Sequence, residues 1–343
     1  MLKKLSAILA LTALTCAPLA AQAGGESIYR FLQLPASPHA AALAGAGLAP
    51  LGNNVGMVPQ NPALLDSAMH LTLHAAYLAS FADVAHSSLS GAWHAAGVGT
   101  FGVSFAGLSY GQLAELSEAG EELGQFSASE LAVALHYARS VARFLSVGAS
   151  ITAISSQLER YSSYGAALSV GARYRSADGL FNATLSLKNA GLQLKPYREG
   201  NREPLPFEIQ LCLAQKLERA PLGFAVTFND LQTFDLYHST GTATTSLNGE
   251  AQGESAALKV GKELLSHLSL GVMVAPSKYF CLMGGYSYRR SSELAVGESS
   301  GGAGFSFGFG LLLKYVELRY ARATYQAGAS SNQLSLLLNI NQW

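Results

Sequence analysis

The stretch Leu145-Ser146-Val147-Gly148-Ala149-Ser150-Ile151-Thr152-Ala153 decides the fold, because apolar and small polar residues alternate along it without a break. A period of two is typical of a β-strand with one apolar and one polar face, whereas a helix repeats every 3.6 residues. The same alternation recurs in residues 69–77, 168–175 and 181–188. The sequence therefore predicts several strands that each separate an apolar surface from a wet one.

Composition narrows the class of protein. Charged residues make up 13% of the chain, whereas soluble domains carry about 25%. No segment after residue 23 approaches the roughly 20 consecutive apolar residues of a membrane helix. Low charge combined with alternating strands is typical of a membrane β-barrel, in which every second side chain faces lipid. The chain has 22 basic and 22 acidic residues, so its charge does not indicate a nucleic-acid partner.

Fourteen segments show a strand pattern, each with about the 9 to 11 residues that a tilted strand needs to cross the hydrocarbon layer. They span residues 69–77, 85–94, 98–110, 129–138, 144–155, 164–175, 180–189, 206–216, 221–229, 267–275, 279–289, 302–313, 315–325 and 332–341. An even count returns both termini to one side of the membrane. The predicted fold class is all-β, a 14-stranded antiparallel transmembrane β-barrel. Residues 255–268 have helical spacing and are predicted to form a short helix in a long loop.

Short and long connections alternate along this predicted barrel. The long ones are residues 111–128, 190–205, 230–266 and 291–301. Because periplasmic turns of such barrels are short and surface loops are long, we expect these four loops at the cell surface. Both termini are then expected in the periplasm.

The N-terminus has the features of a secretory signal peptide. Lys3 and Lys4 form a positive region, residues 5–14 are apolar, and Ala21-Gln22-Ala23 is an A-x-A cleavage site. Residues 1–23 are therefore predicted to be removed on export. Only Cys212 and Cys281 remain in the exported chain, too few for a disulfide framework, and we expect no bond between them because their predicted strands are not adjacent.

Residues 24–68 do not alternate and contain many Gly, Ala and Pro residues. A barrel of fourteen strands is too wide for its own side chains to fill, so its lumen must be an aqueous pore or be plugged. We interpret residues 24–68 as a lumenal hatch and residues 69–343 as the transmembrane barrel. The sequence leaves open the alternative of a disordered periplasmic tail.

An N-terminal hatch that ends in Asn61-Pro62-Ala63 before fourteen strands resembles the fatty-acid transporter family of outer-membrane barrels. Within that superfamily, a narrower likeness is to the PorQ family of the type IX secretion system of Bacteroidetes. This narrower likeness is carried above all by the continuous block from Lys188 to Glu208, and also by residues 29–35, 61–65, 108–111 and 124–128.

The resemblance implies a structural role in the cell outer membrane, with no enzymatic activity and no cofactor. A PorQ-like barrel anchors the surface protein PorZ, and through it acts with PorU and PorV to attach secreted cargo to lipopolysaccharide. The wider family implies an alternative, a transporter that passes hydrophobic small molecules through a plugged barrel with a lateral opening. An apolar pocket between hatch and wall would favour the transporter.

One loop has the composition of a protein docking site. Tyr197, Arg198 and Arg202 are residue types enriched at interface hot spots, and neighbouring prolines restrict the backbone around them. We therefore expect these three side chains to bind the surface partner. The alternative is that the prolines brace the rim and the arginines pair with acidic residues of their own loop.

Two sequence patterns resemble reactive sites, one a serine nucleophile and the other a metal-binding histidine pair, and we interpret both as structural. Gly107-Leu108-Ser109-Tyr110-Gly111 matches the nucleophile elbow, but that motif requires a strand-to-helix turn, and no catalytic residue is predicted here. His70 and His74 on a strand are separated by about 13 Å, too far to share a metal ion. With His86 and His94 they are expected to form a polar lumen lining that hydrogen-bonds the hatch, and no metal site is predicted.

Overall fold

A computed structural model describes residues 27–45, 54–117, 122–233, 236, 256–293, 302–326 and 329–342. The predicted signal peptide at residues 1–23 and most of the predicted loop 230–266 lie outside these residues. The fourteen strands are β1 Thr72–Ala79, β2 Ala85–Ala95, β3 Gly99–Leu116, β4 Glu122–Ala142, β5 Leu145–Leu158, β6 Tyr161–Arg175, β7 Phe181–Lys195, β8 Glu208–Lys216, β9 Leu222–Phe228, β10 Leu268–Ser277, β11 Phe280–Ser287, β12 Phe305–Leu312, β13 Val316–Gln326 and β14 Ala329–Asn339.

These strands form one closed antiparallel barrel in which each strand pairs with its sequence neighbours and β1 pairs with β14. The predicted fold class is confirmed, including the number of strands. Thr72 at the start of β1 pairs with Asn339 at the end of β14, so both ends of the strand series lie at the same end of the barrel. That end carries the short connections, such as residues 96–98 and 143–144, and is called here the short-turn end. The opposite end is the long-loop end.

Strands extend into two of the predicted loops. β3 and β4 extend far into predicted loop 111–128, where Gln112 pairs with Ser127, and β7 continues to Lys195. In both cases a β-bulge interrupts the register, between Ser109 and Gln112 and around Asn189. A bulge adds one residue to one strand and reverses the face of every residue after it, so a search for strict alternation stops at that point.

The outer surface of the barrel is apolar. The register places Val103, Leu135, Ile151 and Leu168 in one row across β3 to β6, and Ile151 is 67% exposed. Most inward residues of the same strands are small or polar, as the alternation of the sequence predicts, and Leu108 and Ile154 are large apolar exceptions. Such a band of outward apolar side chains is the surface that barrels present to lipid.

Three α-helices occur in the described residues: α1 Pro38–Ala42, α2 Ala256–Ser266 and α3 Tyr288–Glu293. Helix α2 falls within residues 255–268, where the helical spacing of the sequence predicts one. None of the helices in the described ranges is long and apolar enough to span a membrane.

Residues 27–45 and 54–69, together called the plug, run through the lumen. The Ile28 amide donates to Pro204 O at the long-loop end over 3.0 Å. Farther along, the hydroxyl of Ser88 donates to Ala36 O over 2.7 Å. At the short-turn end, Asp66 lies 3.7 Å from the guanidinium of Arg173. The plug therefore contacts several strands and spans the barrel from one end to the other.

Candidate functional site

Inward-facing glycines allow the plug backbone to approach the barrel wall. A Cβ atom added at Gly148 on β5 would lie 2.6 Å from the carbonyl carbon of Pro62. On the opposite side of the barrel, a Cβ at Gly285 on β11 would lie 2.5 Å from the Ala44 amide nitrogen. No side chain fits at such distances, so glycine is required where the backbone of one segment contacts another this closely.

The predicted hatch motif Asn61-Pro62-Ala63 makes the contact with β5 to β7. The side-chain oxygen of Asn61 accepts from the Ala63 amide at 2.9 Å and caps a 3₁₀ turn, Pro62–Leu64. Its amide nitrogen donates to Leu185 O at 3.4 Å. All three residues of the motif are buried. The motif thus fixes one turn of the plug against the wall.

Helix α1 is held on the other side of the lumen by a buried charge. Arg319 on β13 is 2% exposed, bonds the Nδ1 atom of His39 at 3.0 Å and pairs with Glu317 at 2.8 Å. The hydroxyl of Ser306 donates to Ala42 O in the same helix at 3.0 Å. Since a buried arginine is stable only when it is paired and hydrogen-bonded, this cluster ties the position of α1 to the wall.

The predicted role of the lumen histidines is only partly correct. His74 and His86 are buried in the lumen, but neither ring makes a hydrogen bond among the described residues. His70 accepts from the His94 amide at 3.0 Å, a contact of the barrel with itself. The histidine that does join plug and wall is His39, which the sequence analysis missed because it lies in a segment without alternation. No group of three metal-ligating side chains occurs in the described part of the chain.

An apolar cluster lies between plug and wall at the long-loop end. This upper apolar cluster is formed by Ile28, Tyr29, Phe31, Leu108, Ala132, Ile154, Ala167 and Leu205. Phe31 of the plug is 3% exposed and Ile154 of β5 is also 3% exposed. Apolar residues at inward positions depart from the polar lining of a water-filled porin.

The loop 196–207 closes over the upper apolar cluster. Its Leu205 is part of the cluster, and Pro204 O accepts from the Ile28 amide. Pro206 O accepts from the side chain of Asn189 at 3.1 Å, and the Glu203 amide donates to Gln193 at 3.1 Å. These bonds fold the loop inward, so that it covers the end of the plug.

The block Lys188 to Glu208 has a clear structural role. Lys188 and Glu208 are cross-strand partners on β7 and β8, and their side chains form an ion pair of 2.8 Å. Both side chains are largely buried, at 13% and 9% exposure. Next to the pair, Asn189 adopts a left-handed backbone with φ of 57° and forms the bulge of β7. The block therefore encodes a bulge, an ion pair and the inward-folded loop.

The three predicted docking residues have different positions. Tyr197 points inward, packs against the upper apolar cluster and hydrogen-bonds Ser156. Burial raises the pKa of the Tyr197 phenol, so the hydroxyl stays protonated at neutral pH. Arg198 and Arg202 are exposed, and the guanidinium of Arg198 lies 5.8 Å from the centre of the Tyr161 ring. Only the two arginines are presented to solvent, and docking at this loop stays a prediction.

A second apolar cluster surrounds helix α1. This lower apolar cluster joins plug residues to inward side chains of the wall: Ala41, Ala42, Leu43, Cys212, Ala214, Ala225, Met273, Cys281, Met283 and Ala321. Cys212 and Cys281 are buried here and form no disulfide. The inner wall is therefore apolar at the long-loop end and around α1, and a third cluster joins plug and wall through Val55, Val58, Leu65, Met69, Ala92, Ala138 and Leu337.

The nucleophile-elbow pattern lies in a setting that does not match its chemistry. Ser109 is within β3 and exposed, and the pattern continues as strand instead of turning into a helix. A reactive serine of that class requires a sharp strand-to-helix turn.

The closed 14-stranded barrel with a lumenal plug defines the class of the protein, a plugged barrel of the outer-membrane type. Its sequence matches no established protein family and none of the curated proteins. Solved structures share the fold. The toluene transporter TodX of Pseudomonas putida is 11% identical with a TM-score of 0.53, and the match covers 88% of this chain and 96% of TodX.

Two further structures are similar. The monoaromatic hydrocarbon channel CymD is 13% identical with a TM-score of 0.50, covering 88% of this chain and 96% of CymD. A FadL homologue of Pseudomonas aeruginosa is 9% identical with a TM-score of 0.49, covering 88% of this chain and 97% of the homologue. At these identities the likeness is one of fold, and the barrel resembles proteins of the outer membrane.

Proposed function

We propose that this protein is an outer-membrane channel that passes small hydrophobic molecules. The observation that carries the proposal is the pair of apolar clusters between plug and wall, since a lumen for polar solutes would be lined by polar side chains. An apolar solute can replace the contacts that the plug makes there, and so gains the free energy of leaving water.

The fold supports the same function. TodX is described as a toluene transporter and CymD as a monoaromatic hydrocarbon channel, and both are similar to this chain in fold. We expect the upper apolar cluster to be the first binding region, because it lies at the long-loop end beneath the loop 196–207. Passage then requires a shift of that loop and of the plug. A lateral opening stays a prediction, since every strand is paired on both sides in this structure.

Uptake of radiolabelled toluene by bacteria that produce the protein tests the proposal. We expect uptake above that of cells with an empty vector, and no increase for a sugar of similar size. Ile154→Asn places an amide in the upper apolar cluster. We expect toluene uptake to fall about tenfold, because burying an apolar side chain such as that of isoleucine contributes about 1.5 to 3 kcal/mol. Thr152→Asn, on the same inward face of β5 but outside the cluster, is the matched control.

Two results would reject the proposal. One is toluene uptake equal to that of the vector control while heat-modifiable gel mobility shows a folded barrel. The other is equal loss of uptake in Ile154→Asn and Thr152→Asn, which would mean that uptake does not depend on the upper apolar cluster.

Anchoring of a PorZ-like surface protein is a second proposal. It is supported by Arg198 and Arg202, which are exposed on a loop whose backbone is fixed by hydrogen bonds, so little ordering entropy is lost on docking. A double variant Arg198→Ala, Arg202→Ala leaves Tyr197 in place and tests docking without releasing the loop. If the folded variant still retains a co-purifying surface protein in full, this loop is not the docking site. The absence of enzymatic activity stays a prediction.

A further inference from the structure

A cavity of about 520 Å³ lies at the short-turn end of the barrel. It is bounded by the last residues of the plug and by the ends of strands β2 to β6. Its lining includes Asp66 of the plug, Val98 of the turn between β2 and β3, and several arginines of β4 to β6 and their turns. This cavity shares no lining residue with the upper or the lower apolar cluster.

The charge of the cavity wall is strongly positive. Four lining residues are arginines, Arg139, Arg143, Arg173 and Arg175, and one is a carboxylate, Asp66. Without Arg139, whose strand position faces outward, positive charges still outnumber negative ones by two with the histidine neutral. Like charges gathered at one cavity repel one another unless an anion lies among them. The wall therefore has the charge of an anion-binding site.

Arg173 has an N–H group that donates to none of the described residues. Its side chain is only 12% exposed, its ion pair with Asp66 is long at 3.7 Å, and it donates to Asn182 at 3.3 Å. The Nε atom is buried without a hydrogen-bond acceptor among the described residues. Asp66 is shared, since its other oxygen accepts from the Ala68 amide at 2.7 Å. A guanidinium has five N–H donors in a planar fork, so Arg173 can bind an additional oxyanion.

The other three arginines carry no carboxylate partner in the part of the chain that the structure describes. The guanidinium of Arg143 lies 5.1 Å from the centre of the Phe144 ring, a contact that leaves its N–H edge available. Arg175 lies on the inward face of β6 with Arg173 and is exposed at the rim, whereas Arg139 pairs with Val147 on the outward face of the barrel. Two solvent-accessible arginines, Arg143 and Arg175, and the largely buried Arg173 therefore line the same space.

A cluster of three aromatic side chains on the outer face places the rim of the cavity at the level of lipid head groups. On the outer face, Trp93 and Phe101 lie 5.9 Å apart and Phe101 and Tyr137 lie 5.1 Å apart, measured between ring centroids. The Tyr137 hydroxyl donates to O of Val98, a residue of the cavity wall, at 2.9 Å. Aromatic girdles of membrane barrels lie at the membrane–water interface. The rim of the cavity thus lies at the level of lipid phosphates.

We propose that this cavity at the short-turn end binds a phosphate-class oxyanion, held by Arg143, Arg173 and Arg175. The oxyanion is supplied either by a soluble phosphate compound or by the head group of an anionic lipid. Arginine is suited to both, because its fork matches two oxygens of a phosphate.

The first experiment uses inorganic pyrophosphate and the purified full-length protein in a nonionic detergent, followed by calorimetric titration. We expect binding that weakens as salt is raised, and a dissociation constant about tenfold higher in each of Arg175→Gln and Arg143→Gln. Arg160→Gln is the matched control, because it removes the same charge from an exposed turn at the long-loop end.

The second experiment measures quenching of Trp93 by brominated lipids in vesicles, in a Trp343→Phe background that leaves Trp93 as the one tryptophan. We expect brominated phosphatidylglycerol to quench more than brominated phosphatidylcholine, and the difference to disappear in Arg143→Gln. Pyrophosphate binding alone assigns the site to a soluble anion, and selective quenching assigns it to a lipid head group. The proposal is overturned if neither probe distinguishes the parent from the arginine variants, or if Arg160→Gln has the same effect as they do.

Discussion

A single methyl group at Gly285 tests whether close backbone contact holds the plug against the wall. The added Cβ would lie 2.5 Å from the Ala44 amide nitrogen and closer still to the Leu43 carbonyl carbon, whereas ordinary contacts begin at 3.4 Å, so the plug must move by more than about 0.9 Å. Overpacking of this kind costs about 1 to 3 kcal/mol. The β11 backbone is held by β10 and β12 on either side. We therefore expect the plug to move rather than the strand.

The assay is single-channel conductance of the purified protein in planar bilayers. Gly285→Ala should open a polar leak around helix α1, seen as larger or more frequent ion-conducting events, while heat-modifiable mobility shows an intact barrel. Gly284→Ala is the control, because a Cβ at that neighbouring residue meets nothing within 4 Å. If the two variants conduct alike, close backbone contact at Gly285 does not position the plug.

Three further predictions follow from the wall of the barrel. Glu208→Gln leaves Lys188 buried without its counter-ion and should lower the free energy of unfolding in urea by about 3 to 5 kcal/mol, whereas replacing Lys188 and Glu208 together by Met should lower it much less. A Glu208→Gln variant as stable as the parent would contradict this expectation. Ile151→Arg should cost about 2 to 4 kcal/mol in the same assay and Val98→Arg, at the short-turn rim, about 0 to 1 kcal/mol, so equal costs would mean that the assigned lipid face is wrong. A cysteine placed in residues 240–248 should react with an impermeant thiol reagent on intact cells, with low background because Cys212 and Cys281 are buried; labelling only after outer-membrane rupture would reverse the orientation.

The number, order and facing of the strands could be predicted from the sequence because they depend on local alternation. Ile151 and Ser150 are assigned to opposite faces by a pattern that spans only a few residues, and the structure confirms both assignments. The helical spacing of residues 255–268 is equally local. Such patterns fail at Asn189, where the bulge reverses the faces of β7, because a left-handed residue leaves no periodic signal of its own.

By itself, the sequence determined that alternate residues of fourteen segments face two different environments, and so determined the barrel. Only the tertiary structure decided which residues meet in the lumen. His39 contacts Arg319 across 280 positions of the chain, and Pro62 lies against Gly148. These pairs form only when the barrel closes and brings distant strands around the plug. The apolar clusters and the arginine-lined cavity depend on that closure, because each is assembled from single side chains of many strands and none is a contiguous motif.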